Sequence, residues 1–238
     1  MTSIAPRDRL IIALDFTAAA PALRMATRLR GLVRTVKVGS TLFTACGPAV
    51  IRRLRDLGFR VMLDLKFFDI PSTVELSCRA AVHHRVSLLT VHAAGGRAML
   101  EAAVRGAREE AARLGVMRPR VLGVTVLTSV ERRAARAVRP TVMRLARAAR
   151  QSGCDGIVAS AQDAAALRRR FGAELRIVCP GIRPARTPLG DQARVASPRQ
   201  ALASGADCLV VGRPITAAPR PRAAAQGMLK EMEGACGC

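Results

Sequence analysis

Eight short apolar runs alternate with longer stretches of helical period. Together they predict an α/β chain folded as a (β/α)8 barrel, a TIM barrel, in a single domain spanning 1–238. The runs are continuously apolar rather than strictly alternating, which suits strands buried on both faces. Eight βα units in 238 residues also match the length of such a barrel. No linker, low-complexity segment or second domain interrupts the pattern. A doubly wound open sheet is the competing architecture, but no GxGxxG follows the first strand.

The first strand is read at 10–16 (LIIALDF), with a helix near 18–31. TVKVGS at 35–40 supplies the second strand, followed by helical period near 43–57. The third strand is 60–66 (RVMLDLK), and its helix lies near 72–84, with Pro71 where a first helical turn tolerates it. LLTVHA at 88–93 and RVLGVTVL at 120–127 are the fourth and fifth strands, with helices near 97–114 and 140–152. GIVAS at 156–160 precedes a helix near 162–171, and RIVCPGI at 176–182 precedes one near 198–204. The last strand is 208–215 (CLVVGRPI), with a helix near 219–233 and a flexible tail at 234–238. Between 183 and 196 the chain has neither period and carries Pro184, Pro188 and Gly190. So long an irregular loop in a compact domain is usually functional, and after the seventh strand it falls on the catalytic face.

Composition narrows the function. Half of the residues are hydrophobic, enough for a packed core and against disorder. No run of about 18 apolar residues lacks a charge, so no membrane span is expected. The first nine residues do not read as a secretory signal, and a cytoplasmic location is the expectation. The net charge is +22, yet only Lys37, Lys66 and Lys230 among the 39 basic residues are lysines. Abundant Arg beside abundant Ala reads as a coding bias toward GC-rich codons. The competing reading is nucleic-acid binding. Against it, the arginines are scattered rather than clustered, and only six Phe are available for base stacking. Seven cysteines form no CxxC, and His83, His84 and His92 make no ligand pattern with them. Zinc is not expected, and the cysteines read as free thiols. Cys236 and Cys238 lie in the tail.

Polar residues collect where the predicted strands end. Asp15 ends the first, Lys37 lies in the second, and Asp64 and Lys66 end the third. Thr128 and Ser129 follow the fifth, Arg183 follows the seventh, and Gly212 and Arg213 close the eighth. One such residue is easily a helix cap; so many at the same end of different strands mark the active face of a barrel. In a regular strand Asp64 and Lys66 point to the same side, toward the mouth, and Asp69 follows on the loop. A lysine kept in so Arg-rich a chain implies a need for an amine, because ammonium donates a proton and guanidinium does not. Arg183, Gly212 and Arg213 imply an anion site, with Gln192 as a neutral donor, since barrels often hold phosphate on the loops after strands 7 and 8.

These motifs are ALD (13–15), KVG (37–39), DLKFFDIPST (64–73), VHA (91–93) and VTVLTS (124–129), then ASAQ (159–162), PGIRP (180–184), GDQ (190–192) and VVGRPIT (210–216). In this order, over nearly the whole chain, they resemble the orotidine 5′-phosphate decarboxylase family of bacterial type. The resemblance implies a homodimeric barrel that converts orotidine 5′-phosphate to UMP and CO2 in pyrimidine nucleotide biosynthesis, with no metal and no organic cofactor. It implies an alternating charge network of Lys37, Asp64, Lys66 and Asp69, with Asp69 supplied across the dimer interface. Asp15 matches the acceptor of a ribose hydroxyl, and Thr73 lies in the segment that reaches the partner's ribose. Thr128 and Ser129 match the region beside the pyrimidine. Arg183, Gln192, Gly212 and Arg213 match the phosphate grip, and 183–196 a segment closing over the phosphate. Two positions depart from the bacterial pattern: Phe68 stands where His is common and Ser72 where Asn is common. Neither belongs to the charge network, so little loss is expected.

Two other functions compete. Sister barrels acting on sugar phosphates as decarboxylases or synthases share the Asp-x-Lys-x-x-Asp motif but use Mg2+. They usually carry an acid where this chain has Lys37, and a cation there repels the metal. From another class, a basic nucleic-acid-binding barrel would exploit the surplus arginines. The sequence favours a small-molecule enzyme with no specific nucleic acid and no membrane among its partners.

Overall fold

The computed structural model describes residues 5–127, 135–184 and 195–234. Eight parallel strands close into a barrel in chain order: β1 (Leu10–Ala13), β2 (Thr35–Gly39), β3 (Arg60–Phe67), β4 (Leu88–His92), β5 (Arg120–Val124), β6 (Gly156–Val158), β7 (Arg176–Cys179) and β8 (Cys208–Val211). β1 pairs with both β2 and β8, which completes the ring and leaves no sheet edge.

The helices are α1 (Pro6–Arg9), α2 (Ala19–Leu29), α3 (Ser40–Cys46), α4 (Ala49–Asp56), α5 (Pro71–His83), α6 (Gly96–Arg113), α7 (Ala135–Gln151), α8 (Ala161–Phe171), α9 (Pro198–Ala203), α10 (Arg213–Thr216) and α11 (Pro221–Glu233). A 3-10 turn at Ala93–Gly95 leads into α6. Local chemistry sets several starts. Pro71 and Pro221 occupy first turns, the Ser160 hydroxyl accepts from the Gln162 N–H, and Ser197 with Gln200 forms a capping box.

Alternation along the strands divides the apolar residues into two cores. Ile11, Met62, Leu122, Val178 and Val210 fill the barrel, while Leu10, Val36, Leu63, Val121 and Leu209 face the helices. Cys78, Cys154, Cys179 and Cys208 are buried and, with Cys46, are free thiols. Burial first, and then neighbouring Cys154 and Glu75, push the Cys78 thiol up to about 12, so it stays protonated. Cys236 and Cys238 lie outside the described residues. Among the described residues no helix is long and apolar enough to cross a membrane.

The element boundaries depart from the sequence reading in an ordered way. Strands begin where expected but most stop early: β1 ends at Ala13 rather than 16, β5 at Val124 rather than 127, β7 at Cys179 rather than 182. The expected eighth strand to 215 ends at Val211, and its last residues form α10. Beyond the strand ends, apolar residues such as Val126, Leu127 and Ile182 line the barrel mouth instead of extending the sheet. The helix expected over 43–57 is two helices, α3 and α4. Gly47 ends the first with a φ of 61° and Pro48 precedes the second. The helix expected from 140 begins at Ala135 and runs through Pro140, giving up one ladder donor. The short α1 has no counterpart in the sequence reading.

Candidate active site

The C-terminal mouth of the barrel holds a cavity of about 670 Å³. Its floor is inner-core residues such as Met62, Val124 and Val158, and its rim is polar. Asp15, Lys37, Asp64, Lys66, Arg183, Gly212 and Arg213, all singled out from the sequence, border this one space.

Four of them form a continuous chain of opposite charges. The Lys37 Nζ donates to Asp15 Oδ1 at 3.0 Å and lies 3.4 Å from Asp64 Oδ2. The Lys66 Nζ donates to the same Asp64 oxygen at 3.0 Å. Exposure falls along the chain and rises again: the side chains of Asp15 and Lys66 are 57% and 36% exposed, those of Lys37 and Asp64 both 11%. The two ends therefore reach into the open cavity while the middle pair is held in the wall. At these separations the gross Coulomb attraction of each contact is about 5–5.5 kcal/mol at an effective dielectric near 20, before desolvation is subtracted.

Asp64 is the hub. Burial, the largest influence, disfavours its charge. The charges of Lys37 and Lys66, with hydrogen bonds from Lys66 and Thr90, together outweigh burial and hold the carboxyl below its ordinary range. It is a carboxylate at neutral pH.

The backbone that delivers this geometry is not the regular strand assumed from sequence. β3 and β4 pair at Met62↔Leu88 and Leu63↔Leu89, and next at Phe67↔Val91. Asp64, Leu65 and Lys66 therefore stand opposite Thr90 alone, in a bulge. Lys66 takes a φ of 51°, the left-handed region, shared among the described non-glycine residues only with Arg85. Bulges re-aim side chains beside active sites, and this one turns the Lys66 ammonium back onto Asp64.

Two participants escaped the sequence reading. Thr90 is fully buried; its hydroxyl donates to Asp64 Oδ1 at 2.9 Å and accepts from the Lys66 N–H at 3.0 Å. The available signal was a lone hydroxyl in the apolar run of β4, which when buried must find partners. In the sequence Gly39 stands only as part of KVG. A Cβ there would come within 2.9 Å of Lys37 Nζ and 3.2 Å of Asp15 Oδ1, so its missing side chain is the space the ion pair occupies. Because Nζ ends a flexible chain, Gly39→Ala is expected to displace the ammonium and leave the fold intact. The expected result is a loss of about 10–100-fold in kcat/KM, equivalent to about 1.4–2.8 kcal/mol, with little change in Tm. Steady-state kinetics and thermal unfolding check it together.

Arg183 and Arg213 are close enough to affect each other. Burial, and then the charge of Arg213, push the Arg183 guanidinium below its usual value. Two cations brought together at a cavity edge suit an anionic group. Arg183 lies where the backbone is pinned: its N–H donates to the Ala196 carbonyl at 3.0 Å, and the Ala196 N–H donates to the Gly181 carbonyl at 3.3 Å. Most of the segment 183–196 lies outside the described residues, as do Gln192, Thr128 and Ser129. Asp69 and Thr73 are described but do not border the cavity. Both are exposed, and Asp69 Oδ1 accepts from the N–H of Ile70 at 2.7 Å. Around them Phe68, Ile70 and Leu76 are each more than 60% exposed. Among the described residues no group of three or more His, Cys, Asp or Glu is arranged to hold a metal ion.

The chain is similar to known proteins along most of its length. Residues 8–228 match the model of the orotidine 5′-phosphate decarboxylase / HUMPS family. The chain is 47% identical to an orotidine 5′-phosphate decarboxylase of Moorella thermoacetica, covering 95% of this chain and 93% of that one. It is 48% identical to the enzyme of the same name from Halorhodospira halophila, covering 98% and 99%. The crystal structure of orotidine 5′-phosphate decarboxylase from Lactobacillus acidophilus superposes with a TM-score of 0.82 at 33% identity, over 94% of this chain and 99% of that one. With full-length relatives at this identity and a matching barrel, the chain belongs to the orotidine 5′-phosphate decarboxylase / HUMPS family.

Proposed function

We propose that the chain decarboxylates orotidine 5′-phosphate to UMP and CO2, a step of pyrimidine nucleotide biosynthesis in the cytoplasm. The observation that carries this is the Asp15–Lys37–Asp64–Lys66 chain, standing in one cavity with Arg183 and Arg213. The relatives' shared name supports it.

The chemistry requires such an arrangement. When the bond from C6 to its carboxylate breaks, the electron pair stays on C6 in the plane of the ring, beyond the reach of π delocalisation. The stabilisation must come from charge already in position. Lys66 carries that charge and then transfers a proton from its ammonium to C6, leaving UMP and a neutral amine that regains its proton from solvent. Asp64 fixes both lysines, and Asp15 accepts from a ribose hydroxyl. The family resemblance assigns Thr128 and Ser129 to the pyrimidine. Arg183, Gln192, Gly212 and Arg213 hold the phosphate, far from the breaking bond, so that remote binding energy supports the transition state. No step calls on a metal or an organic cofactor.

The reading includes a second copy of the chain. Asp69 and Thr73 serve the partner's site, Asp69 completing the charge network there. The exposed apolar residues around them are the support for this: Phe68, Ile70 and Leu76 suit a face that packs against protein. Lys37 between two carboxylates separates this activity from Mg2+-dependent sugar-phosphate chemistry, since an ammonium occupies the charge position a dication would need.

Offering the protein orotidine 5′-phosphate, or 3-keto-gulonate phosphate with Mg2+, tests the assignment. UMP and an equivalent of CO2 are expected from the first, and turnover of the second alone would contradict the reading. Arg213→Ala is expected to weaken UMP binding about 10–150-fold, the effect of losing about 1.5–3 kcal/mol of charged hydrogen bonding. Uridine, which lacks the phosphate, should bind both forms alike. Calorimetric titration distinguishes these outcomes, and an unchanged UMP affinity would remove Arg213 from the phosphate grip.

A further inference from the structure

The β3 bulge leaves a problem that ordinary sheet pairing does not solve. Between Leu63↔Leu89 and Phe67↔Val91, three residues of β3 face one of β4, so part of the ladder is missing where the charge network sits. Lys66 also occupies a backbone region costly for a residue with a long side chain, and such conformations persist only where surrounding contacts enforce them. Two groups there need partners: the Lys66 N–H and the second oxygen of the buried Asp64 carboxylate.

One side chain satisfies both. Thr90 is fully buried, its hydroxyl accepts the Lys66 N–H at 3.0 Å, and its single proton goes to Asp64 Oδ1 at 2.9 Å. The other Asp64 oxygen receives the Lys66 ammonium at 3.0 Å. A closed loop results: Lys66 backbone to Thr90 hydroxyl, to Asp64 carboxylate, to Lys66 ammonium. Both ends of Lys66 are thereby referenced to one carboxylate. A hydroxyl is the smallest group able to accept and donate at the same point. Valine fills the same volume and does neither.

We propose that Thr90 is a positioning residue for the decarboxylation. It holds the left-handed backbone of Lys66 and the plane of the Asp64 carboxylate in register, so that the ammonium is aimed before substrate arrives. This rests on the functional reading above. Thr90 touches neither phosphate nor ribose groups of the site, so its removal should affect the chemical step rather than nucleotide affinity. Misplacement of a catalytic group by a fraction of an ångström is enough to slow a reaction whose barrier is lowered by preorganised charge.

The test is a comparison of Thr90→Val and Thr90→Ser with the wild-type chain. Thr90→Val is expected to lower kcat about 10–100-fold, given the loss of one charged hydrogen bond and the stranding of one buried N–H. UMP affinity should stay within about threefold, and Thr90→Ser, which keeps the hydroxyl, should recover kcat to within about fivefold of wild type. Thermal unfolding of both variants checks that the barrel is intact. Wild-type kcat in Thr90→Val overturns the positioning role, as does an equal loss in both variants accompanied by weakened UMP binding, the signature of general loosening. A wild-type chain that leaves orotidine 5′-phosphate untouched overturns the functional reading itself, and the two failures are thereby distinct.

Discussion

Replacing Lys66 by Ala is expected to abolish turnover while UMP binding survives. On the proposed mechanism the substitution removes both the charge beside C6 and the proton that C6 receives. A positioned general acid contributes about 10²–10⁴-fold, and preorganised charge at least about 10²-fold more, so a loss of 10⁴-fold or greater is expected. Nucleotide affinity should hold because the proposed phosphate site at Arg183 and Arg213 is untouched. Lys66→Arg is the sharper companion. It keeps a cation, but guanidinium does not release a proton at neutral pH, and its planar fork does not fit a point-charge site on Asp64. It is expected to remain inactive. Progress curves for both variants, beside UMP titrations, make the check; full activity in either would remove Lys66 from the chemistry.

Asp64→Asn carries the second largest expected effect. Its carboxylate is the shared counter-ion of Lys37 at 3.4 Å and Lys66 at 3.0 Å, with both oxygens engaged. Asparagine keeps the shape and drops the charge, leaving two ammonium groups at one amide. Breaking a buried ion pair from one side costs about 3–5 kcal/mol, which corresponds to about 10²–10³-fold or more if expressed in the barrier. The same variant has a pH signature. The folded-state pKa of Asp64 lies below the ordinary value of 3.8. Its charge therefore contributes stability that is full above that value and is lost as pH falls through the lower folded one. Denaturation of the wild type should steepen at acid pH, and Asp64→Asn should flatten that slope while starting from a lower plateau. Urea titrations across acid and neutral pH measure both.

Much of this was legible in the chain because it rests on residue type at strand ends. Asp15, Lys37, Asp64, Lys66, Arg183 and Arg213 could be placed from eight apolar runs and the rule that barrels work at their C-terminal face. The single helix expected over 43–57 is split into α3 and α4, a break that Gly47-Pro48 explains once the structure is known. What the sequence concealed depends on three-dimensional register. Asp64-Leu65-Lys66 reads as plain alternation, and the bulge emerges only once β3 is laid against β4. Thr90 reads as one more β-branched strand former, because its hydroxyl partners come from a different strand. The role of Gly39 is a volume that is left empty, which no residue letter records. The overhangs at 126–127 and 180–182 extend the strand pattern, yet they lie beyond the assigned strands and line the pocket wall.

The most direct measurement of the central claim is the ultraviolet absorbance of orotidine 5′-phosphate mixed with the purified protein in excess EDTA. The account predicts that the orotate band is lost, that UMP accumulates in its place, and that the rate is the same with or without the chelator. An unchanged spectrum from folded, dimeric protein, or turnover that appears only when Mg2+ is restored, would contradict it.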